Sequence, residues 1–466
     1  MKKLLFLCCS ILILATGTVK AQIRNLLNFN DTNGASPYGD VIISGNKLFG
    51  MTYSGGEYNY GVIFSMDTDG NRYKVLLNFN DTNGQNPYGT LTLSGNVLYG
   101  MTYYGGAWGN GLVFSIDTNG SGYKDLLDFH INSGSAGADP VGSLTLSGNV
   151  LFGMTYFGGG FGDGLLFSIN TNGSRYKDIL DFNGANGEYP YGNVILSGSR
   201  LYGMTLNGGA HSNGLIFSID TNGSAYKDLL DFNSANGKYP HGSLCLSGKQ
   251  LFGMTIAGGT DSEGVVFSID TNGSMYKVLL NFNASNGQTP YGSLILSGKV
   301  LYGMTSTGGA NTGGNIFSID TSGSGYKDMY DCDITQIMNG VYPYGSLCLS
   351  GNSLYGMTTQ GGLWAEGVIF KMDTNTVAGI NELSVNSGVI ALFPNPNNGN
   401  FTLYLQGISG KSLITVYNLL GEQVLQTSLN STTTQIDMSN KAEGLYLYRI
   451  VTIKGELIGE GKFVIQ

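Results

Sequence analysis

Short apolar runs recur along the chain at a spacing near 50 residues, and each run ends in the tripeptide Gly-Met-Thr. The tripeptide begins at Gly50, Gly100, Gly153, Gly203, Gly253, Gly303 and Gly356. Seven copies at this period match the length of a four-stranded propeller blade. Common helical repeats are shorter and would require apolar positions with a period near 3.6. The pattern therefore favours β structure throughout the repeated part.

One repeat, Gly242 to Phe282, predicts four strands from its pattern and its turns. GSLCLSG gives a short strand a and a Ser-Gly turn, QLFGMT gives strand b, VVFSIDTNGS gives strand c and a turn, and MYKVLLNF gives strand d. Strand c is apolar on both faces, as expected for a sheet covered on both sides. The Asn-Gly pair that ends the turn predicts a tight c to d hairpin with positive φ at both central residues.

The two ends of the repeat array predict how it closes. A lone d-type strand, Leu26 to Phe29, precedes the first repeat, and the seventh repeat stops after its strand c at Val368 to Asp373. The N-terminal strand should therefore complete the last blade and leave no open edge there. The predicted fold is all-β, a seven-bladed β-propeller with four strands per blade.

Composition and charge narrow the class of partner. The chain has 466 residues with 74 Gly, 12% charged and 11% aromatic residues, and a formal net charge of −9. No cluster of basic residues follows the N-terminus, so nucleic acid is not an expected partner, because phosphate neutralisation requires a concentrated positive surface.

The N-terminal sequence has the features of a processing signal. Two lysines and an apolar run over residues 4–14 precede Val19 and Ala21, which predicts a signal peptide at 1–21 with cleavage between Ala21 and Gln22. No later stretch approaches the ~20 apolar residues of a transmembrane helix, so no transmembrane segment is expected.

Three cysteines remain after this cleavage: Cys245, Cys332 and Cys348. An odd number gives no complete disulfide framework, and we interpret them as small buried apolar residues.

Two family resemblances follow from these motifs. The pattern LYGMTxxGG followed by xGxxFSIDTNGSxYK, over residues 25–375, resembles the tandem repeat called GloVer and, more loosely, kelch repeats. The resemblance implies a propeller and no particular chemistry, since this architecture hosts many functions.

The C-terminal segment differs in composition from the repeats. It contains a PNP-x-x-G-x-F opening that ends at Phe401, a hairpin at Val416 to Glu422 and a strand from Gly444, and its alternating runs predict about seven short strands in a small immunoglobulin-like β-sandwich. The segment resembles the type A C-terminal sorting domain of type IX secretion. That resemblance implies the type IX secretion machinery as a partner. It also implies a secreted or outer-membrane surface-attached protein of a Gram-negative bacterium.

The predicted domains are a signal peptide (1–21), a propeller (22–375), a linker (376–388) and a sorting domain (389–466).

Residues repeated in every blade are interpreted as structural, so a binding site should lie where the repeats differ. The b to c and d to a loops differ most, and both should emerge on one face. Aromatic rings there suit sugar faces or protein interfaces, and packing of the loops against each other is an equal alternative. The candidate ligand-binding residues are Tyr58, Tyr104, Trp108, Phe157, Phe161 and Trp364, with the two tryptophans strongest.

Catalysis is not expected. The three histidines, His130, His211 and His241, are scattered, and no zinc, nucleophile-base or phosphate-loop motif is present. We therefore predict no catalytic residue, metal or cofactor.

The leading hypothesis is an exported binding protein that recognises a glycan or a protein. One alternative is a structural or adhesive surface protein without a discrete ligand. The other is a polysaccharide lyase or hydrolase that uses loop carboxylates at Asp163, Asp261 and Glu263.

Overall fold

The computed structural model describes residues 23–131, 137–374, 389–393, 397–406, 411–418, 421–453 and 457–465. The chain divides into two compact units, residues 1–376 and 377–466. The signal-peptide cleavage site predicted at Ala21 and Gln22, and the linker predicted at 376–388, lie outside the described residues. Within them, no helix is long and apolar enough to cross a bilayer.

The described part of the first unit contains seven four-stranded antiparallel sheets, whose strands we call a to d in order across each sheet. The first strand of the chain, β1 (Ile23–Asn28), belongs to the last sheet. Sheet 1 is β2 (Ile42–Ser44), β3 (Lys47–Thr52), β4 (Val62–Asp67) and β5 (Lys74–Asn78). Sheet 2 is β6 (Thr92–Ser94), β7 (Val97–Thr102), β8 (Leu112–Asp117) and β9 (Lys124–Asp128). The short β10 (Gly137–Ala138) follows, and sheet 3 is β11 (Thr145–Ser147), β12 (Val150–Thr155), β14 (Leu165–Asn170) and β15 (Lys177–Asp181), with β13 (Phe157–Gly158) pairing β10.

Sheets 4 to 7 repeat the same order. Sheet 4 is β16 (Ile195–Ser197), β17 (Arg200–Thr205), β18 (Leu215–Asp220) and β19 (Lys227–Asp231). Sheet 5 is β20 (Cys245–Ser247), β21 (Gln250–Thr255), β22 (Val265–Asp270) and β23 (Lys277–Asn281). Sheet 6 is β24 (Ile295–Ser297), β25 (Val300–Thr305), β26 (Thr312–Asp320) and β27 (Lys327–Asp333), followed by a 3₁₀ turn at Ile337–Asn339. Sheet 7 is β28 (Cys348–Ser350), β29 (Ser353–Thr358), β30 (Val368–Asp373) and β1.

The middle strands b and c form the apolar layers between sheets. Every residue of β4, for example, is buried, which confirms that strand c is covered on both faces. A Cβ placed on Gly50 of strand b would lie 2.6 Å from the ring of Phe64 on strand c. The glycine of each Gly-Met-Thr therefore makes room for the phenylalanine ring that packs over it.

The c to d turn differs from the prediction at one residue. In sheet 2 the Gly120 N–H donates to Asp117 O (2.8 Å), the Asp117 N–H donates to Ser121 O (2.9 Å), and Gly120 has a φ of +90°. Asn119 does not have a positive φ, so the expectation of positive φ at both central residues is wrong. The turn is instead a three-residue loop that ends in a glycine bulge, in which one left-handed residue suffices.

The predicted closure by the N-terminal strand is confirmed. β1 pairs antiparallel with β30, from Ile23 opposite Met372 to Asn28 opposite Val368, with a bulge between Asn25 and Leu27. Sheet 7 therefore contains both ends of the repeated array.

Close backbone contacts join all seven sheets in a circle where the chain enters each strand a. A Cβ on Gly39 would lie 2.3 Å from Gly89 O, and the same relation holds at each step until Gly345, whose Cβ would lie 2.4 Å from Gly39 O. The next residue in each sheet adds a hydrogen bond at most steps. The Asp40 N–H donates to Thr90 Oγ1 (2.9 Å). At the last step the Ser346 N–H donates to the Asp40 carboxylate, which closes the circle. The arrangement is propeller-like.

The lysines that begin the outer strands are exposed, and several also link neighbouring sheets. Lys74 Nζ donates to Asn119 O (2.9 Å) and Lys277 Nζ donates to Ser322 O (2.7 Å). Cys245, Cys332 and Cys348 are all free thiols. Cys332 is buried as expected, whereas Cys245 and Cys348 are only partly buried.

The described part of the second unit contains two antiparallel sheets. Its strands are β31 (Val389–Phe393), β32 (Asn400–Gln406), β33 (Ser412–Tyr417), β34 (Gln423–Leu429), β35 (Thr433–Asp437), β36 (Gly444–Thr452) and β37 (Leu457–Ile465). One sheet has the order β31-β32-β35 and the other β34-β33-β36-β37. Buried residues of both, including Leu403 and Ile450, form one hydrophobic cluster, so the two sheets pack against each other.

Candidate ligand-binding face

The d to a loops of the seven sheets converge on a central pocket that the sequence analysis did not identify. The pocket is lined by the residues at the Pro-Tyr-Gly position and by the glycine and polar residue that follow each of them. Its aromatic members pack closely around the circle, with ring centroids 4.6 Å apart for Tyr38 and Tyr88 and 4.1 Å apart for Tyr291 and Tyr344. The repeated tyrosine thus has a structural role, as predicted, and also lines a cavity.

This central pocket is too small for an organic ligand of ordinary size. Its volume is about 70 Å³. Small-molecule sites usually have about 300–1,000 Å³, whereas one water occupies about 30 Å³. The pocket can therefore hold a few waters, and a larger ligand must bind outside it.

Two titratable side chains line the pocket, of which His241 is buried and Asp40 is partly buried. His241 contacts the Tyr191 ring (3.4 Å between centroids), and its Nδ1 lies 3.1 Å from Tyr291 O. Burial lowers the pKa of His241 to about 3, so the imidazole is neutral at neutral pH. Burial also raises the pKa of Asp40, while hydrogen bonds from Ser346 and Thr90 act in the opposite direction.

The b to c loops contribute no residue to the lining of this pocket, and each of them is held by the same hydrogen bond. An Asp or Asn of strand d, its last residue except in sheet 6, accepts a backbone N–H from the residue just after the Gly-Gly pair. In sheet 2, Ala107 N–H donates to Asp128 Oδ1 (2.7 Å), and in sheet 1, Glu57 N–H donates to Asn78 Oδ1 (3.0 Å). The other five sheets have the same contact. The residue at the loop tip follows this tether directly, so its backbone position is fixed by the sheet.

Some tethering carboxylates have a second carboxyl group nearby. Burial, followed by the charge of Asp181, raises the pKa of Asp178 to about 6. Asp181 is the group that accepts the Gly160 N–H (2.8 Å). Sheets 1 and 5 have Val75 and Val278 at the position of Asp178, and there the tether is an asparagine.

The loop tips carry the strongest candidate residues. Trp364, Tyr58, Trp108 and Phe161 occupy the same tip position, two residues after the Gly-Gly pair. Their side chains are 62%, 49%, 60% and 66% exposed. In the remaining sheets this position holds His211, Asp261 and Asn311, which are also exposed. The aromatic tips therefore belong to sheets 7, 1, 2 and 3, which follow one another around the circle.

The two remaining candidates lie at the base of these loops and are more strongly packed. Tyr104 is 40% exposed and packs on Tyr103, with centroids 4.3 Å apart. Phe157 is partly buried between Tyr156 (4.6 Å) and Tyr189 (5.5 Å). Packing of aromatic residues within the loops thus accounts for Phe157 better than for Tyr58, Phe161 and Trp364. The fourth tip, Trp108, also packs on His130, with ring centroids 4.3 Å apart.

The loop carboxylates considered for catalysis are divided between two sheets. Asp163 lies in the sheet 3 loop, while Asp261 and Glu263 share the sheet 5 loop, where Asp261 accepts a hydrogen bond from Thr260 Oγ1 (3.0 Å). Across the described ranges no group of three or more His, Cys, Asp or Glu side chains is arranged to hold a metal ion.

Sequence reasoning named the tip aromatics individually and missed that they form one sector. The signal was present, because aligning the seven loops on their Gly-Gly pair places all four rings in one column. It also missed the tethering Asp or Asn, which recurs in every strand d.

Comparisons with known proteins bear on the fold and on export. Residues 13–151, 129–299 and 246–391 match the Gloeobacter/Verrucomicrobia repeat, and residues 391–466 match the secretion system C-terminal sorting domain. Both resemblances seen in the sequence are thereby confirmed. No curated protein matches the chain significantly.

Several solved structures match this chain at low sequence identity. The extracellular domain of a hybrid two component system from B. thetaiotaomicron has 13% identity and a TM-score of 0.51, over 96% of this chain and 58% of that one. The extracellular domain of a one component system from the same organism has 13% identity and a TM-score of 0.49, over 93% and 57%. PorZ, a surface component of the type-IX secretion system of Porphyromonas gingivalis, has 14% identity and a TM-score of 0.38, over 91% and 69%.

This chain spans less than three fifths of the length of the two B. thetaiotaomicron domains, and at 13% identity the likeness to the hybrid-system domain concerns the fold alone. The two family matches are stronger evidence, since together they cover residues 13–466. The chain belongs to the Gloeobacter/Verrucomicrobia repeat family, and its C-terminal sorting domain makes it a secreted or cell-surface protein that interacts with the type IX secretion system.

Proposed function

We propose that the mature protein is a non-enzymatic binding protein that recognises a glycan or a protein through its b to c and d to a loops. The observation that carries this proposal is the row of four exposed aromatic tips on tethered loops. Large apolar side chains held in water by a rigid scaffold are typical of recognition surfaces.

The architecture proposed for this function is one seven-bladed β-propeller. Seven sheets joined in a circle by the Gly39 to Gly345 contacts, with β1 pairing β30, support that assignment. A closed ring gives the loops a stiff base, because each sheet is covered on both faces by its neighbours.

For the second unit we propose an immunoglobulin-like sandwich that directs export and attachment at the outer-membrane surface. Its two sheets have the strand order of that fold when β31 to β37 are taken as A, B, C, C′, E, F and G. Tyr446, near the start of β36, donates its hydroxyl to Ala442 O (2.7 Å), as in a tyrosine corner.

The two alternative functions would require different features of this face. A purely structural or adhesive protein would not require apolar rings to be exposed in one sector only. A lyase or hydrolase would require converging acid and base groups, and the carboxylates at Asp163 and Glu263 lie in separate loops of sheets 3 and 5.

The test is a glycan-array and surface-protein binding screen on the chain from Gln22 to Gln466. We expect a saturable ligand whose affinity falls at least tenfold in Trp108→Ala. The matched control is Asn311→Ala, which changes the same loop position outside the aromatic sector and should leave affinity unchanged. Saturable binding that is equally insensitive to both substitutions would reject the aromatic face as the binding site.

A further inference from the structure

The aromatic tips differ from the rest of the repeat in that the fold does not require them. All seven loops share two left-handed glycines and the tether from strand d, whether the tip is Trp108 or Asn311. A residue that folding alone selected should recur in every sheet or be buried. The four aromatic tips do neither, since they are exposed and occur on four adjacent sheets.

The four tips form an arc, whose order is Trp364, Tyr58, Trp108 and Phe161. Sheet 7 adjoins sheet 1 through the Gly345 and Gly39 contact and through β28 and β2, so Trp364 and Tyr58 are neighbours around the circle. Face-packed sheets lie about 10 Å apart, and four tips on adjacent sheets therefore span about 30 Å. One small ligand cannot contact rings that far apart.

The regular spacing of the arc indicates a ligand that itself repeats. Protein interfaces usually concentrate their binding energy in a central, desolvated cluster of residues. Separated rings at one repeated position each add a modest contact, and an extended polymer gains affinity by engaging several at once. Flat aromatic faces also suit the apolar faces of sugar rings.

The charge of these loops restricts the kind of polymer. The four loops at residues 53–61, 103–111, 156–164 and 359–367 contain no Lys or Arg, whereas Glu57 and Glu366 flank the tips of sheets 1 and 7. A polymer that carries uronate or sulfate groups would find no cation here and would meet like charge. A neutral chain avoids both costs.

We propose that the arc binds a neutral linear polysaccharide that runs around the loop face across sheets 7, 1, 2 and 3. This inference rests on the proposed binding function and goes further, since it fixes the ligand class and the direction in which the ligand lies. The central pocket takes no part, because none of the four tips lines it.

Calorimetry with neutral oligosaccharides of increasing length tests the arc. The probes are β-1,4-glucan, β-1,3-glucan, mannan and xylan oligomers of two to ten sugars, titrated into the chain from Gln22 to Gln466. We expect affinity to increase with length until the oligomer spans the arc. Phe161→Ala and Trp364→Ala, at the two ends, should each weaken the longest oligomers about three- to tenfold and leave the shortest nearly unchanged.

A gain-of-binding pair provides the matched control. Asn311→Trp in sheet 6 extends the arc beside Trp364 and should strengthen binding of the longest oligomers about threefold or more. Asp261→Trp adds the same ring in sheet 5. Because sheet 5 is not adjacent to the arc, this substitution should not strengthen binding. Affinity that stops rising at two or three sugars, or equal gains from both tryptophans, would overturn the arc while leaving glycan recognition intact. If none of these neutral oligomers binds, the arc is rejected, and the Trp108→Ala screen decides the proposed function separately.

Discussion

Single positions in this chain can be interpreted by comparison with their six equivalents. His241 stands where other sheets have tyrosine or, once, valine. In the sequence it was only a substitution of a repeated tyrosine, and nothing in the repeat pattern encodes how close that position lies to the centre of the circle. The structure buries it against Tyr191 and Tyr291 and keeps its imidazole neutral.

The burial of His241 predicts an acid-sensitive contribution to stability. Its pKa is about 3 in the folded chain and about 6.5 when unfolded, so the contribution is complete above pH 6.5 and is lost as pH falls towards 3. Near pH 4 the cost is about 3 kcal/mol. His241→Tyr, which copies the repeat, should remove this part of the acid loss in urea unfolding measured from pH 7.5 to 4.

His211→Asn is the control for that measurement, because His211 is exposed on a loop tip. It should leave the pH dependence of the unfolding free energy as it is in the parent chain. If the parent and His241→Tyr lose stability in parallel between pH 6.5 and 4, the buried neutral imidazole is not the cause.

At the scale of elements, the strands were predictable and the geometry of the loops was not. Alternating apolar runs and Gly-containing turns located all four strands of the repeat, because each signal is local. The left-handed residue of the turn was misplaced at Asn119, since a three-residue hairpin loop and a two-residue one share the Asn-Gly pair. The tether from Asp128 to Ala107 escaped notice because it joins residues about 20 positions apart.

The tether predicts a separable effect on binding. Asp128→Ala removes the acceptor for the Ala107 N–H and frees the tip that carries Trp108, so ligand affinity should fall by about fivefold or more through lost preorganisation. Asp128→Asn copies Asn78 of sheet 1 and should retain affinity. The measurement is the affinity of each chain for the longest oligosaccharide that the parent chain binds. Circular dichroism checks that each chain is folded. Equal affinity in all three chains would show that the tether does not position the tip.

At the scale of the whole molecule, one short strand joins the two ends of the ring and also supports one end of the arc. β1 supplies the outer strand of sheet 7, and its Asn28 Oδ1 accepts the Leu363 N–H (3.0 Å) next to Trp364. Its Leu26 and Leu27 pack in the cluster shared by sheets 7 and 1. Loss of this strand should therefore affect both stability and the binding face.

Deleting residues 22–28 should lower the thermal unfolding midpoint by about 10 °C or more, because the edge of β30 and its apolar neighbours become exposed. A synthetic peptide of residues 22–30 supplied in trans should restore the midpoint, since the paired register from Ile23 to Asn28 can form again. The same peptide with Leu26→Asp and Leu27→Asp has the same length and should not restore the midpoint, because these two side chains pack against the cluster between sheets 7 and 1. A deleted chain that melts like the parent would mean that the circle of glycine contacts closes the ring without β1.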